Sequence, residues 1–316
     1  MKRLIVVVPC YNEEEVLKET TSRLEEVFKD LISSKKIAKN SQVMYVNDGS
    51  KDKTWELILE LSHKYEFVTG VSLSRNRGHQ NALLAGLDVA RKHADIVISM
   101  DADLQDDINA MIEMLEKSEE GYEIVYGVRK NRKKDSWFKR TTAEAFYKFM
   151  KFMGVEVVFN HADYRLTSRR VLDELFKYNE VNLFLRGIFP LIGFKNTVVY
   201  YERNERFAGS SKYPLKKMLA FAWNGITSFS VKPIKMILNI GILILLISIG
   251  VILYALIAHF TGNTVAGWTF IICSIWLLAG VQMIAIGLIG EYIGKVYSES
   301  KQRPRYVIEH NLLEDK

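Results

Sequence analysis

The sequence predicts an α/β protein, a largely parallel sheet layered with helices, followed by a hairpin of two membrane-spanning helices. Short apolar runs alternate with amphipathic helical patterns, as in successive βαβ units. Several of those runs end in polar or acidic residues, where open α/β sheets bind their ligands. Two later stretches, about 234–260 and 268–290, carry one Lys and no Arg, Asp or Glu, and each is long enough to cross a bilayer core of about 30 Å.

In order, Leu4-Ile-Val-Val-Val-Pro9 reads as a buried strand, and Cys10-Tyr-Asn-Glu-Glu-Glu15 turns into a helix from Val16 to about Leu31. Val43 to Val46 repeats the design, ending in Asn47-Asp48-Gly49 before a helix from about Thr54 to Lys64. A third strand, Val68 to Leu73, leads through Ser74-Arg-Asn-Arg-Gly78 to a helix from about Gln80 to Ala90. The fourth, Ile96-Val-Ile-Ser-Met, breaks into Asp101-Ala-Asp-Leu-Gln-Asp-Asp107. Carboxylates one residue apart, with Gln105 next in phase, can converge as hard oxygen ligands on Mg2+ or Mn2+; Asp-rich turns also cap helices and bind nothing. No G-x-G-x-x-G follows the first strand and no P-loop is present, which disfavours dinucleotide and P-loop chemistry.

Composition narrows the rest. The 43 Lys and Arg against 37 Asp and Glu give +6, which suits anionic partners, though nothing beyond net charge points to nucleic acid. Two cysteines, Cys10 and Cys273, offer neither a disulfide framework nor a zinc pattern. Leu4 to Val8 is too short for the apolar region of a cleavable signal.

Pro9-Cys-Tyr-Asn-Glu13, Val46-Asn-Asp-Gly-Ser50 and Asp101-Ala-Asp-Leu-Gln105 resemble the three nucleotide-sugar motifs of GT-A-fold family 2 glycosyltransferases. More narrowly the chain resembles their polyprenyl-phosphate branch, which includes dolichyl-phosphate mannose synthases and bactoprenol glucosyltransferases. The resemblance implies a GT-A, Rossmann-like domain with the nucleoside held by Pro9, Tyr11, Glu13 and Asp48. It implies that Asp101 and Ala102 meet the donor's diphosphate, and that Asp101, Asp103 and Gln105 hold Mg2+ or Mn2+. Asn47 stands where many relatives carry the first Asp of Asp-Asp-Gly-Ser.

After an amphipathic helix, Met111 to Glu120, and a strand, Glu123 to Gly127, the resemblance gives Arg129 and Arg140 to the acceptor's phosphate. Paired hydrogen bonds from a planar guanidinium suit that task. The run Arg132-Lys-Lys134 reads as a solvated face. Asp163 and Arg165, before a helix starting near Arg170, match an Asp-aromatic-Arg-Leu context close to the reacting sugar. A phosphate acceptor is already ionised, so Asp163 is expected to position or polarise, whereas a hydroxyl acceptor would make it a base. Leu183 to Phe194 lacks the Gln-x-x-Arg-Trp of processive synthases, which favours single addition. After a strand around Thr197 to Tyr201, Arg206 and Lys212 flank a Gly-Ser-Ser turn suited to fold over a diphosphate.

The expected organisation is a catalytic domain over 1–212, an interfacial amphipathic region over 213–232, the hairpin over 233–294 and a cytosolic tail over 295–316. The connecting loop His259–Gly267 has no Lys or Arg, whereas Lys232 and Lys235 precede the first span and Lys295, Lys301, Arg303 and Arg305 follow the second. The positive-inside rule then puts the catalytic domain and both termini on the cytosolic side of the cytoplasmic membrane. Gly280, Gly287 and Gly290 permit close helix packing, which leaves room for a homo-oligomer without requiring one. The expected reaction moves one sugar, with inversion, from a nucleotide diphosphate sugar to a membrane polyprenyl phosphate. The preferred pair is UDP-glucose and undecaprenyl phosphate. UDP-N-acetylglucosamine, GDP-mannose, a hydroxyl acceptor and an inactive scaffold are the alternatives.

Overall fold

The computed structural model describes residues 1–130, 152–153, 161–180, 185–202, 226–227, 230–261 and 267–314. Side chains at 161–162, 245, 248, 251–252, 255–256, 258–260, 268–270, 272–273, 276–277 and 279 are likewise outside the description. Arg140, Arg206, Lys212 and most of the interfacial region fall outside these residues.

The first half follows the predicted alternation. It runs β1 (Leu4–Cys10), α1 (Leu17–Ser33), β2 (Gln42–Asn47), α2 (Thr54–Lys64), β3 (Val68–Leu73), α3 (His79–His93), β4 (Ile96–Ser99), α4 (Ala110–Glu119) and β5 (Ile124–Arg129). Then come β6 (His161–Ser168), α5 (Arg169–Leu175), α6 (Leu185–Ile192), β7 (Asn196–Tyr201), α7 (Lys232–Phe260), α8 (Trp268–Ser300) and β8 (Ile308–Asn311). Every residue of β1 is buried, as a central strand covered on both faces requires. In α1, Leu17, Thr20, Thr21, Leu24, Phe28 and Leu31 recur at helical spacing and form its buried stripe.

Among the described residues eight strands form one sheet in the order β7-β5-β6-β4-β1-β2-β3-β8. Strands β4, β1, β2 and β3 are parallel neighbours, so the chain segments after β1, β2 and β4 leave from the same edge. The segment with Asp163 and Arg165 is strand β6, antiparallel between β4 and β5, and the expected helix begins directly behind it as α5. This reversal sets β6 beside the strand that carries Asp101. Close packing of α3 on the sheet depends on Gly86, where an added Cβ would lie 2.4 Å from Val7 Cγ1 and 2.6 Å from Val46 Cγ2.

Residues 302–316, read from the sequence only as a tail, belong to the same compact unit as the sheet. Strand β8 pairs antiparallel with β3, His310 stacks on Trp55 at 5.8 Å, and Tyr306 donates to Asp88. The last strand therefore covers what would be an open edge.

A second compact unit contains 149–155 and 215–301, and with them α7 and α8, of 29 and 33 residues. Two long helices do stand where the hairpin was predicted. Among the described residues, however, no helix is long and apolar enough to cross a membrane, so the transmembrane character of the hairpin is not supported by them. Within this unit Tyr292 donates to the Ser230 carbonyl and Lys295 to Thr227 Oγ1.

Candidate active site

The parallel strands bring together the chain segments at the carboxyl ends of β1, β2 and β4. Asn12, in the left-handed region at φ 54°, receives a backbone N–H from Lys51 at 2.9 Å and donates its own to Ser50 Oγ at 3.0 Å. Glu13 N–H donates to Thr54 Oγ1. The first two motifs are thus stitched into one surface, with Pro9 in the buried strand and Tyr11 exposed above it. The side chain of Asn47 donates to Ser72 Oγ at 3.0 Å and accepts from Ser50 N–H at 3.1 Å. An amide supplies both a donor and an acceptor, whereas an ionised carboxylate only accepts, which explains Asn at this position.

Asp48 is buried, and its two oxygens accept the backbone N–H groups of Arg77 and Gly78 at 2.6 and 2.9 Å. Burial pushes its carboxyl above the usual range, against the pull of those two hydrogen bonds. It anchors the segment that leads into α3. Gly49 (φ 61°) lets the backbone pass Arg75, since an added Cβ would meet Arg75 C at 2.5 Å.

After β4, Thr20 Oγ1 donates to the Ala102 carbonyl and the Asp103 carboxylate takes the N–H of Gln105 at 3.2 Å, across a left-handed Leu104. Asp106, the next acid, is buried and receives the Tyr201 hydroxyl and Arg129 Nη2, the latter at 3.1 Å. Arg129 Nε also donates to the Tyr201 oxygen at 3.2 Å. Arg129 thus lies where the end of β5 meets β7 and ties both to the acidic turn.

The structure gathers five side chains from four parts of the chain. His79 opens α3, and its Nε2 stands 3.5 Å from Asp101 Oδ1 and 3.5 Å from Asp163 Oδ2. Arg165 Nη2 donates to Asp163 Oδ1 at 2.7 Å, while the guanidinium packs on the Phe189 ring at 4.3 Å. Arg186, from α6, donates through Nε to Oδ1 at 3.2 Å and through Nη2 to Oδ2 at 3.1 Å.

Charge follows from this geometry. Burial alone would raise the Asp163 carboxyl, but Arg186, the His79 hydrogen bond and Arg165 outweigh it and hold the group well below the usual range. Burial pulls the His79 imidazole down, yet Asp163 and Asp101 win and push it up to about 9. Asp101 is pushed up to about 6, first by burial and then by the charges of Asp106, Asp163 and Asp103, with His79 opposing. Among the described residues no group of three His, Cys, Asp or Glu is arranged to hold a metal, so a cation at Asp101 and Asp103 would need the Gln105 amide or groups outside the protein.

Sequence reasoning reached Asp101, Asp103, Asp163, Arg165 and Arg129. It passed over His79, Arg186, Asp106 and Tyr201. Arg186 left a signal, a lone cation in the apolar run 183–194. His79 left none, because its partners are set by the sheet.

Residues 5–176 match the model of glycosyl transferase family 2. The chain is 54% identical to the uncharacterized glycosyltransferase YkoT of Bacillus subtilis, over 99% of this chain and 93% of that protein. It is 39% identical to the bactoprenol glucosyl transferase of Shigella phage SfV, over 98% of each. Among solved structures, glucosyl-3-phosphoglycerate synthase from Mycobacterium tuberculosis, in complex with Mn2+, UDP and phosphoglyceric acid, aligns with a TM-score of 0.45 at 18% identity, over 72% of this chain and 76% of that one. The chain belongs to glycosyl transferase family 2 and is a glycosyltransferase with an α/β, GT-A-like fold.

Proposed function

We propose that the protein transfers a single glucose from UDP-glucose to undecaprenyl phosphate at the cytosolic face of the membrane, with inversion at the anomeric carbon. The observation that carries this reading is the convergence of Asp101, from the donor motif, and Asp163, from the strand beside it, on one imidazole nitrogen at 3.5 Å each. End-to-end likeness to proteins named bactoprenol glucosyl transferase supports the sugar and the lipid carrier.

In this mechanism the stitched loops 10–13 and 47–50 seat the nucleoside, with Asp48 fixing the backbone of 77–78 beside it. Asp101, Asp103 and the Gln105 amide offer hard oxygen donors of the kind Mg2+ or Mn2+ takes and would hold the ion, with groups from outside the protein completing its shell. When bound, it neutralises charge on the departing diphosphate. Asp163, ionised and occupied on both oxygens, orients its cationic partners and leaves proton removal unnecessary for an acceptor that arrives ionised.

We also read α7 and α8 as a hairpin in the cytoplasmic membrane. Its support is the near absence of charge over 234–260 and 268–290 and the exposure of Leu238, Leu243, Leu246 and Leu253 on α7. A lipid whose isoprenoid tail stays in the bilayer has to be met at headgroup level.

The test is radiolabelled transfer by the full chain in detergent with Mg2+ or Mn2+. UDP-glucose, UDP-N-acetylglucosamine and GDP-mannose are offered separately with undecaprenyl phosphate, and D101N serves as control. Labelled lipid from UDP-glucose, lost on chelation and in D101N, is the expected result. Nucleotide binding without lipid labelling from any donor overturns the acceptor and moves a hydroxyl acceptor ahead.

A further inference from the structure

We infer that the open cavity between the end of α5 and residues 302–306 docks the phosphate of an anionic phospholipid headgroup and so seats the catalytic domain on the membrane. This rests on the reading of α7 and α8 as a membrane hairpin and goes beyond it by assigning the lipid chemistry that the domain itself meets.

The backbone around Arg303 is constrained on both sides. Gln302, in the left-handed region at φ 46°, turns the chain away from α8, and the ring of Pro304 restricts the backbone two residues on. Arg305 Nη2 then donates to the Tyr178 carbonyl at 2.5 Å, Tyr306 donates to Asp88 at 2.9 Å, and the Val307 carbonyl takes the Ser74 N–H at 3.0 Å. Arg303, just before these anchors, is exposed and has neither a hydrogen bond nor an ion pair from its side chain among the described residues.

A cavity of about 510 Å³ opens there, and its lining gives the class of ligand. Arg303 and Arg305 bring guanidiniums, Asn179 and Gln302 amide N–H donors, and Phe176 and Tyr306 apolar surface. Among the described residues no Asp or Glu lines it. Asp88, the partner of Tyr306, also accepts from Arg91 at 2.9 Å, and the Arg91 guanidinium lies on the Phe176 ring at 4.6 Å. Of the other acids nearby, Asp173 pairs with Arg91 and Glu174 with Lys177, and Glu180 is exposed outside the lining. Guanidinium forks and amide donors beside an apolar surface suit a phosphate diester carried on a glyceryl chain.

Placement says where that phosphate comes from. With 33 residues at ~1.5 Å per residue, α8 is about 50 Å long, slightly more than the roughly 40–45 Å of a bilayer with its headgroups. A helix of that length that enters at one surface ends at the other, and Arg303 follows soon after its last residue, Ser300. The bond from Ser74, the first residue after β3, to Val307 sets 302–306 off the same edge of the sheet as the active site. Basic residues at such a surface meet anionic headgroups at a local concentration that a soluble phosphate does not reach.

The test incubates the full chain in detergent with mixed micelles carrying radiolabelled phosphatidylglycerol or phosphatidylcholine, captures the protein and counts the lipid retained. Wild type is compared with R303Q, R303K and R23Q, the last removing an equal charge from α1, and the thermal midpoint reports on folding. The expected result is wild type that retains phosphatidylglycerol over phosphatidylcholine, with that preference cut about fivefold in R303Q, cut less in R303K and unchanged in R23Q. A preference in R303Q within about twofold of wild type overturns the site. So does an equal loss in R23Q, which would assign the preference to net charge. Retention of labelled inorganic phosphate at the same concentration, lost in R303Q, overturns the lipid and leaves a site for the free ion. Equal retention of the two lipids by wild type overturns the site while the membrane reading stands; retention of neither overturns the membrane reading and this inference with it. Should R303Q lower the thermal midpoint, the R303K preference decides.

Discussion

Arg186 clasps Asp163 at two points, Nε to Oδ1 at 3.2 Å and Nη2 to Oδ2 at 3.1 Å, so that α6 is fastened to strand β6 through one carboxylate. Arg165 shares that carboxylate from within. Replacing the charge strands a buried guanidinium, whose cost exceeds that of losing a surface pair. D163N is expected to lose about 3–5 kcal/mol of stability, read as a lower thermal midpoint of the full chain. A midpoint equal to wild type would mean that Arg165 is solvated.

The same residue sets an acid limb. Its folded pKa lies below its unfolded value, so the stability it contributes is present above about pH 3.9 and is lost as pH falls toward the folded value. The gap in thermal midpoint between wild type and D163N should narrow as pH falls below about 4. A gap undiminished at about pH 3 would contradict the low pKa.

Tyr201 donates its hydroxyl to Oδ1 of buried Asp106, whose Oδ2 has no hydrogen-bond partner among the described residues. Y201F removes the donor and leaves the carboxylate to Arg129. The expected cost is about 1–3 kcal/mol in chemical unfolding. D106N in the Y201F background should restore part of it, because a neutral amide is cheaper to leave under-bonded than an anion.

Gly49 makes a sharper case. At φ 61°, with Arg75 C and Asn76 N each 2.5 Å from an added Cβ, alanine must push the backbone that Asp48 holds. G49A should cost about 1–3 kcal/mol and weaken UDP binding together with stability. Gly294, where an added Cβ meets nothing within 4 Å, is the matched control, and G294A should leave both unchanged.

The strands of the first half were legible because a parallel sheet buried on both faces writes itself as unbroken apolar runs, as in Leu4 to Val8. The acids were legible because three motifs fell at strand ends. The convergence was not. His79, Asp101, Asp163 and Arg186 meet only because β6 runs antiparallel beside β4 while α3 and α6 approach from elsewhere, and local pattern carries no such register. Strand β8 was equally hidden: Ile-Glu-His-Asn has no strand-like composition and is held by β3 and Trp55.

Because β8 follows α7 and α8 in the chain, the order of synthesis and the order of the sheet disagree. Strands β1 to β7 leave the ribosome before α7 and α8, yet the edge of β3 stays uncovered until 308–311 have followed both helices out. The nascent protein therefore spends the whole time of making the helices with an unpaired strand edge on β3.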